Sequence, residues 1–156
     1  MQATPKITKQ IVFIRHGHRH KNIPDEDNGL SDKGRSQVDD ILTAYRKGTL
    51  PKASQFWSSP KLRCQETLKP LTDLALSPMK IVKLLDEQLP SESESQFAKR
   101  ISELVEKIVS SKETVYLCSH GDVIPLAIDE MTGKSVELSK GQAVVLEFED
   151  GKWTLT

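Results

Sequence analysis

Three short stretches of this 156-residue chain hold side chains whose types and order can do chemistry. They are Arg15-His16-Gly17, Ser58-Ser59-Pro60 with Arg63 one helical turn later, and Ser119-His120-Gly121. Guanidinium groups offer planar, bidentate donors to phosphate oxygens. A neutral imidazole is a competent nucleophile near pH 7, and its second nitrogen can be locked by a backbone carbonyl. Two arginines and two histidines meeting at one point would therefore bind a tetrahedral oxyanion and transfer a phosphoryl group through a phosphohistidine. The cations would stabilise the charge spread over the equatorial oxygens. Arginine does the neutralising in such a site, so neither a metal nor another cofactor is expected. A glycine after each histidine allows the backbone to approach a ligand closely.

His16, His18 and His20 alternate, which invites a metal reading. Two features weigh against it: Gly17 breaks strand regularity, and no cysteine or aspartate follows at ligand spacing before Asp25. His18 and His20 are expected to be loop residues at the rim of a pocket.

The elements that must position these residues can be read from periodicity. Ile11–Ile14 is a continuous apolar run, as expected of a strand buried on both faces of a parallel sheet. Ser31 is placed to N-cap a helix over Asp32–Lys47, with Gly48 as its stop. Phe56–Trp57 begins a second strand. Ser59-Pro60 reads as the N-cap and first residue of a further helix that Pro70 should kink or end. Ile81–Leu85 is a third strand candidate, and 91–96 is a polar connection. A helix with a clear apolar face is expected from about Ser95 to Ser110. A strand follows at Thr114–Cys118 and a helix at Asp122–Met131. Asp150-Gly151 should turn a hairpin between Ala143–Phe148 and Lys152–Leu155. The alternation predicts one α/β domain over residues 1–156. Its architecture is a three-layer α/β/α sandwich with a mostly parallel central sheet and a C-terminal hairpin. In such a sheet the carboxyl ends of the strands share one edge, where ligands bind. Arg15, His16, Arg63 and His120 can converge there.

Composition narrows the classes further. Lys and Arg number 22 and Asp and Glu number 22, so the formal charge is zero. A dedicated nucleic-acid binder or a polybasic membrane-surface protein would carry a basic excess. The apolar stretches are too short to span a bilayer, and the polar N-terminus lacks the apolar core of a secretory signal. Cys64 and Cys118 are at neither metal-ligand nor C-x-x-C spacing, which suits reduced, buried thiols in a cytoplasmic protein.

The blocks Phe13–Gly17 (FIRHG), Leu30–Gln37 (LSDKGRSQ), Ser58–Thr67 (SSPKLRCQET) and Val115–Gly121 (VYLCSHG) resemble the histidine phosphatase superfamily, the phosphoglycerate-mutase-like clan. They occur in family order and span most of the chain. The small size and the ending SKGQAVVLEFEDGKWTL look most like the SixA-type protein-phosphohistidine phosphatases. The resemblance implies a phosphoglycerate-mutase-like fold with His16 as the phosphorylated nucleophile. Arg15, Arg63 and His120 would complete the phosphate pocket, and Gly17 would lie against the substrate. It places Asn22 at a phosphate-contacting position and Arg19 at a further substrate contact. Glu87 falls where many relatives carry the general acid. Asp122 is a second acidic residue near the site, read as a helix N-terminal aspartate that complements the dipole.

An alkoxide leaving group needs a positioned acid, whereas the imidazole released from a phosphohistidine leaves far more easily. The stretches available as a lid, His18–Gly29 and Gln88–Gln96, are short. An open, shallow pocket is therefore expected, suited to a phosphohistidine on a protein or to a small phosphomonoester, and unsuited to a mutase. The expected state is a monomer. A metallohydrolase on the three alternating histidines and a non-catalytic phosphate-binding module are the competing readings.

Overall fold

The computed structural model describes residues 7–22 and 26–156. Residues 1–6 of the polar N-terminus and part of the His18–Gly29 loop, including Asp25, lie outside the described residues. Six strands and four helices follow in the order β1 (Ile7–Arg15), α1 (Asp32–Lys47), β2 (Gln55–Ser58), α2 (Leu62–Ala75), β3 (Met79–Ile81), α3 (Glu94–Ser110), β4 (Val115–Ser119), α4 (Val123–Thr132), β5 (Ala143–Glu149) and β6 (Lys152–Leu155). They form one sheet in the order β3-β2-β4-β1-β5-β6. The pairs β2–β3, β2–β4 and β1–β4 are parallel; β5 is antiparallel to β1 and to β6.

The run in β1 is buried on both faces because the sheet is covered on both. Ile11 and Phe13 join Leu104, Ile108, Ile124 and Ile128 of α3 and α4 in one core. Val12 and Ile14 join Ile41, Tyr45, Leu68 and Leu71 of α1 and α2 in the other. Successive side chains of a strand point to opposite faces, so a four-residue apolar run implies helices on both sides. Asp150 and Gly151 both take positive φ (51° and 78°), the backbone that a tight two-residue hairpin turn requires. Ser31 caps α1 by accepting from Gly34 N, and Gly48 ends it with a left-handed φ of 79°.

Two expectations are corrected and two more are narrowed. Helix α2 starts at Leu62 behind Lys61, not at Ser59-Pro60; the Ser59 hydroxyl accepts from Lys61 N at 3.3 Å and also faces His120, as described below. Pro70 does not end α2, which runs on to Ala75. The buried Leu68 and Leu71 hold the helix on the sheet despite the missing N–H. The third strand covers only Met79–Ile81. Val82 N donates to Ser58 O at 2.8 Å, and Lys83–Leu85 then coils into one turn of 3-10 helix that buries Leu85. Finally, α3 begins at Glu94, because Ser93 and Gln96 form a reciprocal capping box. Among the described residues no helix is long and apolar enough to cross a membrane.

Candidate active site

The sheet register brings the three chemical stretches into one row. Ser58 is level with Cys118, and Arg15 with Ser119. His16, Ser59 and His120 therefore leave the carboxyl ends of three adjacent parallel strands side by side. The strands are tied together beyond their last residues: His16 N donates to Ser119 O at 3.1 Å and Ser59 N to Cys118 O at 3.0 Å. A cleft of about 530 Å³ opens at this edge, lined by Arg15, His16, Arg19, Arg63, Glu87 and His120 together with Lys21, Gly121, Asp122, Glu137, Leu138 and Lys140.

His16 is 5% exposed. Its Nδ1 lies 2.8 Å from Gly17 O. A carbonyl oxygen only accepts, so Nδ1 carries the proton and Nε2 keeps its lone pair. That lone pair accepts from Arg63 Nε at 3.3 Å. Burial, and then the nearby charges of Arg63, Arg15 and Lys140, lower the His16 pKa to about 4, against a smaller opposing effect of the Gly17 bond. The imidazole is therefore neutral at pH 7, the form that can attack phosphorus.

Arg63, in the first turn of α2, is the hub. Its Nη2 donates to Glu87 Oε2 at 2.8 Å and lies 3.4 Å from His120 Nδ1. Accepting there, His120 directs its protonated Nε2 to Ser59 Oγ at 2.8 Å. Asp86 Oδ1 lies 3.9 Å from the same nitrogen. Burial, followed by Arg63 and His16, pushes the His120 pKa down to about 2. The two imidazole centroids are 5.3 Å apart.

Arg15 is held from the opposite side of the sheet. Its Nη1 donates to Leu138 O at 2.9 Å, while its buried Nε has no partner among the described residues. The guanidinium lies flat over Gly121, where an added Cβ would come within 2.7 Å of Cζ. The loop entering β5 is pinned to the end of β1: Gly141 N donates to Arg15 O and His16 O at 3.0 Å, and Arg15 N to Gln142 O at 3.1 Å. Gly141 takes a φ of 75° to make this contact, and the contact brings Lys140 to the cleft. On the far side, Arg100 of α3 clamps the segment bearing Glu87. Its guanidinium donates to Leu84 O, Asp86 O and Glu87 O and is itself paired with Glu92 at 2.8 Å.

Of the residues singled out from sequence, Arg15, His16, Arg19, Arg63, Glu87 and His120 line the cleft. Gly17 lies behind it, with its N–H on Thr67 Oγ1 at 3.0 Å and its carbonyl orienting His16. Asn22 is exposed and outside the lining. Asp122 lines the cleft and precedes α4, but its Oδ2 accepts from Gln88 N at 3.0 Å and makes no cap bond. The alternating histidines diverge. The Nδ1 of His18 is 2.7 Å from Ser31 Oγ, and neither His18 nor His20 lines the cleft. Among the described residues no group of three or more His, Cys, Asp or Glu side chains is placed to hold a metal. Sequence reasoning missed Lys21, Lys140, Glu137 and Thr67, and it gave Ser59 a capping role in place of its bond to His120. Only Ser59 and Thr67 lay in blocks already singled out by their chemistry; Lys140 carried no local signal.

The family model for the histidine phosphatase superfamily (branch 1) matches residues 11–90 and 86–156. No curated protein sequence matches the chain significantly. Solved structures share the fold at low identity. One is a candidate alpha-ribazole-5'-P phosphatase of Escherichia coli, with TM-score 0.83, 16% identity, and 96% of this chain and 95% of that one covered. Another is a phosphoserine phosphatase of Entamoeba histolytica, with TM-score 0.74, 16% identity and 95% of each chain covered. A third is a mycobacterial glucosyl-3-phosphoglycerate phosphatase, with TM-score 0.73, 18% identity, and 94% and 96% covered. Family match and fold agree: the chain belongs to branch 1 of the histidine phosphatase superfamily, and it is a phosphatase of that class.

Proposed function

We propose that this protein is a metal-independent phosphatase that hydrolyses small phosphomonoesters through a phosphohistidine on His16. One observation carries the reading: the buried, neutral imidazole of His16 has its proton fixed on Nδ1 by Gly17 O and its Nε2 lone pair beside Arg63. Nε2 attacks phosphorus, the bond to the leaving oxygen breaks, and that oxygen takes a proton from Glu87. Water then attacks phosphorus and gives its proton back to Glu87, and the bond to Nε2 breaks to free the imidazole. Arg15 and Arg63 donate to the equatorial oxygens, and His120, its Nε2 proton held on Ser59 Oγ, packs beside them and positions Arg63 through Nδ1. Glu87 suits the acid–base role by position, in the cleft on a segment clamped by Arg100; the incoming phosphoryl group takes Arg63 from it, and the proton of a substrate monoanion passes through it to the leaving oxygen. Support for a small substrate comes from the neighbours, whose names refer to phosphates of small molecules.

A second reading, a SixA-like phosphatase acting on phosphohistidine in a protein, is favoured by one observation. The Glu87–Ser93 segment bordering the cleft forms neither helix nor strand that would roof it. The decisive experiment is a rapid, acid-free quench with phosphorus-labelled substrate. Label should appear on His16 at a neutral-to-alkaline quench and be lost in acid. In His16→Ala, labelling and turnover should both vanish; undiminished turnover in that variant refutes the mechanism.

A further inference from the structure

Glu87 follows a single turn of 3-10 helix and belongs to no helix or strand itself, yet the backbone around it is held bond by bond. A segment outside any ladder must find donors for its carbonyls elsewhere. Arg100 of α3 donates to Leu84 O at 2.9 Å, Asp86 O at 2.6 Å and Glu87 O at 3.1 Å. Ser119, at the end of β4, donates from Oγ to the carbonyl between them, Leu85 O, at 2.6 Å. Asp122 then accepts from Gln88 N at 3.0 Å. The rest of the Arg100 fork goes to Glu92: Nε to Oε2 and Nη2 to Oε1, each at 2.8 Å. A guanidinium has five N–H donors, and all five act within the stretch 84–92. The buried Phe97 ring lies 4.9 Å from Arg100 Cζ and backs the fork. Glu92 and Arg100, 11% and 15% exposed, form a largely buried pair, and Glu92 also accepts from Leu89 N at 3.1 Å. Arg100 holds the Glu92 carboxyl down to about 2, so the pair stays charged at neutral pH. The Glu87 carboxylate, by contrast, is 40% exposed and bonded to Arg63 Nη2. When a phosphoryl group takes that guanidinium, the carboxylate loses this anchor, and its backbone must keep it within reach of the leaving oxygen.

We propose that Arg100 and Glu92 are positioning residues for the proton transfer. They hold the peptide planes around Glu87 so that its carboxylate stays aimed at the leaving oxygen after Arg63 has engaged the phosphoryl group. This role rests on Glu87 as the acid–base group and adds that its aim is set from α3, by an arginine that does not line the cleft. An error of about 1 Å in the position of a reacting group can cost about 100-fold in rate. The loss must fall on the step that needs the acid. Alkyl phosphates, whose leaving alkoxide is strongly basic, depend on that step; p-nitrophenyl phosphate, whose phenolate is weakly basic, depends on it little. Arg15 and Arg63 still hold the phosphoryl group, so the effect belongs to kcat and not to KM.

The test compares glycerol 3-phosphate with p-nitrophenyl phosphate in the wild type, in Arg100→Met/Glu92→Gln, in Glu87→Gln and in all three substitutions together. The double variant removes both charges at once, so neither is left buried without its partner, and the new amide oxygen can still accept from Leu89 N. In that variant kcat on glycerol 3-phosphate should fall by about tenfold or more, while kcat on p-nitrophenyl phosphate and both KM values stay within about threefold of wild type. Added to Glu87→Gln, the two substitutions should slow glycerol 3-phosphate by no more than about twofold further, because the group they aim is gone. A merely structural role would lower kcat equally on both substrates, in proportion to the folded fraction, and would multiply with Glu87→Gln; that outcome overturns the proposal. Arg100→Lys keeps a cation beside Glu92 but has three donors where arginine has five. It should show the same selective loss on the alkyl substrate, and an equal loss on both substrates there also overturns the proposal. A selective loss in Glu87→Gln with none in the double variant overturns the positioning role and leaves the acid assignment intact. If Glu87→Gln itself slows both substrates alike, the acid assignment fails and the positioning role with it.

Discussion

The two buried histidines make the protein's stability depend on pH in a way that can be worked out from the site. In an unfolded chain each imidazole titrates near 6.5; in the fold His16 is pushed down to about 4 and His120 to about 2. Above pH 6.5 both are neutral in both states and contribute no pH dependence. Below 6.5 the unfolded chain takes up protons that the folded chain refuses, so stability falls as pH falls. For His16 the loss continues down to about pH 4, and for His120 to about pH 2. Each histidine contributes up to about 1.4 kcal/mol per pH unit where only the unfolded state is protonated. Between pH 6 and pH 5 the pair should therefore remove about 2 kcal/mol, a sizeable share of the roughly 5–15 kcal/mol that holds a typical domain. Asp86, whose carboxyl burial raises in pKa, acts in the opposite sense. Urea unfolding followed by the fluorescence of Trp57, which is buried in the core beside β4, measures the slope at pH 7, 6 and 5. His120→Asn should roughly halve the loss between pH 6 and 5. A wild-type stability that stays flat over that interval, or a slope that His120→Asn leaves untouched, would refute the claim that these imidazoles are held neutral by burial.

Two further expectations concern activity. Gly121→Ala puts a methyl group 2.7 Å from Arg15 Cζ. The guanidinium is the end of a flexible chain and can swing away, so the melting temperature should move little, while turnover should fall by about a hundredfold, the scale seen when one oxyanion donor is lost. Equal turnover in the variant would show that Arg15 does not hold the phosphoryl group. Glu87→Gln should slow alkyl phosphates by about 100-fold or more and aryl phosphates or a phosphohistidine peptide far less, because a better leaving group needs less help from an acid. A uniform loss across that series would remove Glu87 as the proton donor and leave it as a partner of Arg63.

Much of the architecture was legible because it follows from local rules. The apolar run Ile11–Ile14 can be satisfied only by a sheet covered on both faces, and the two cores bear that out. Ser31 and Gly48 bracket α1, and Asp150-Gly151 turns the hairpin, through backbone preferences that act within a few residues. Arg15, His16, Arg63 and His120 stood out because their types are costly to place after buried strands without a purpose, and parallel strands end on one edge. What the chain alone did not reveal depends on partners distant in sequence. Ser59 looks like a helix cap until the β2–β4 register sets it against His120. Val82 continues an apolar run and makes the last sheet bond, to Ser58 O, before Lys83–Leu85 coils away and buries Leu85. Lys140 is an unremarkable loop lysine until the antiparallel pairing of β5 with β1 lets Gly141 N reach the carbonyls of Arg15 and His16. Sequence determined which elements form and which residues could bind phosphate, because periodicity, caps and turns act locally. Tertiary structure alone decided the tautomers and the hub role of Arg63, because each arises from groups that meet only when the sheet is assembled.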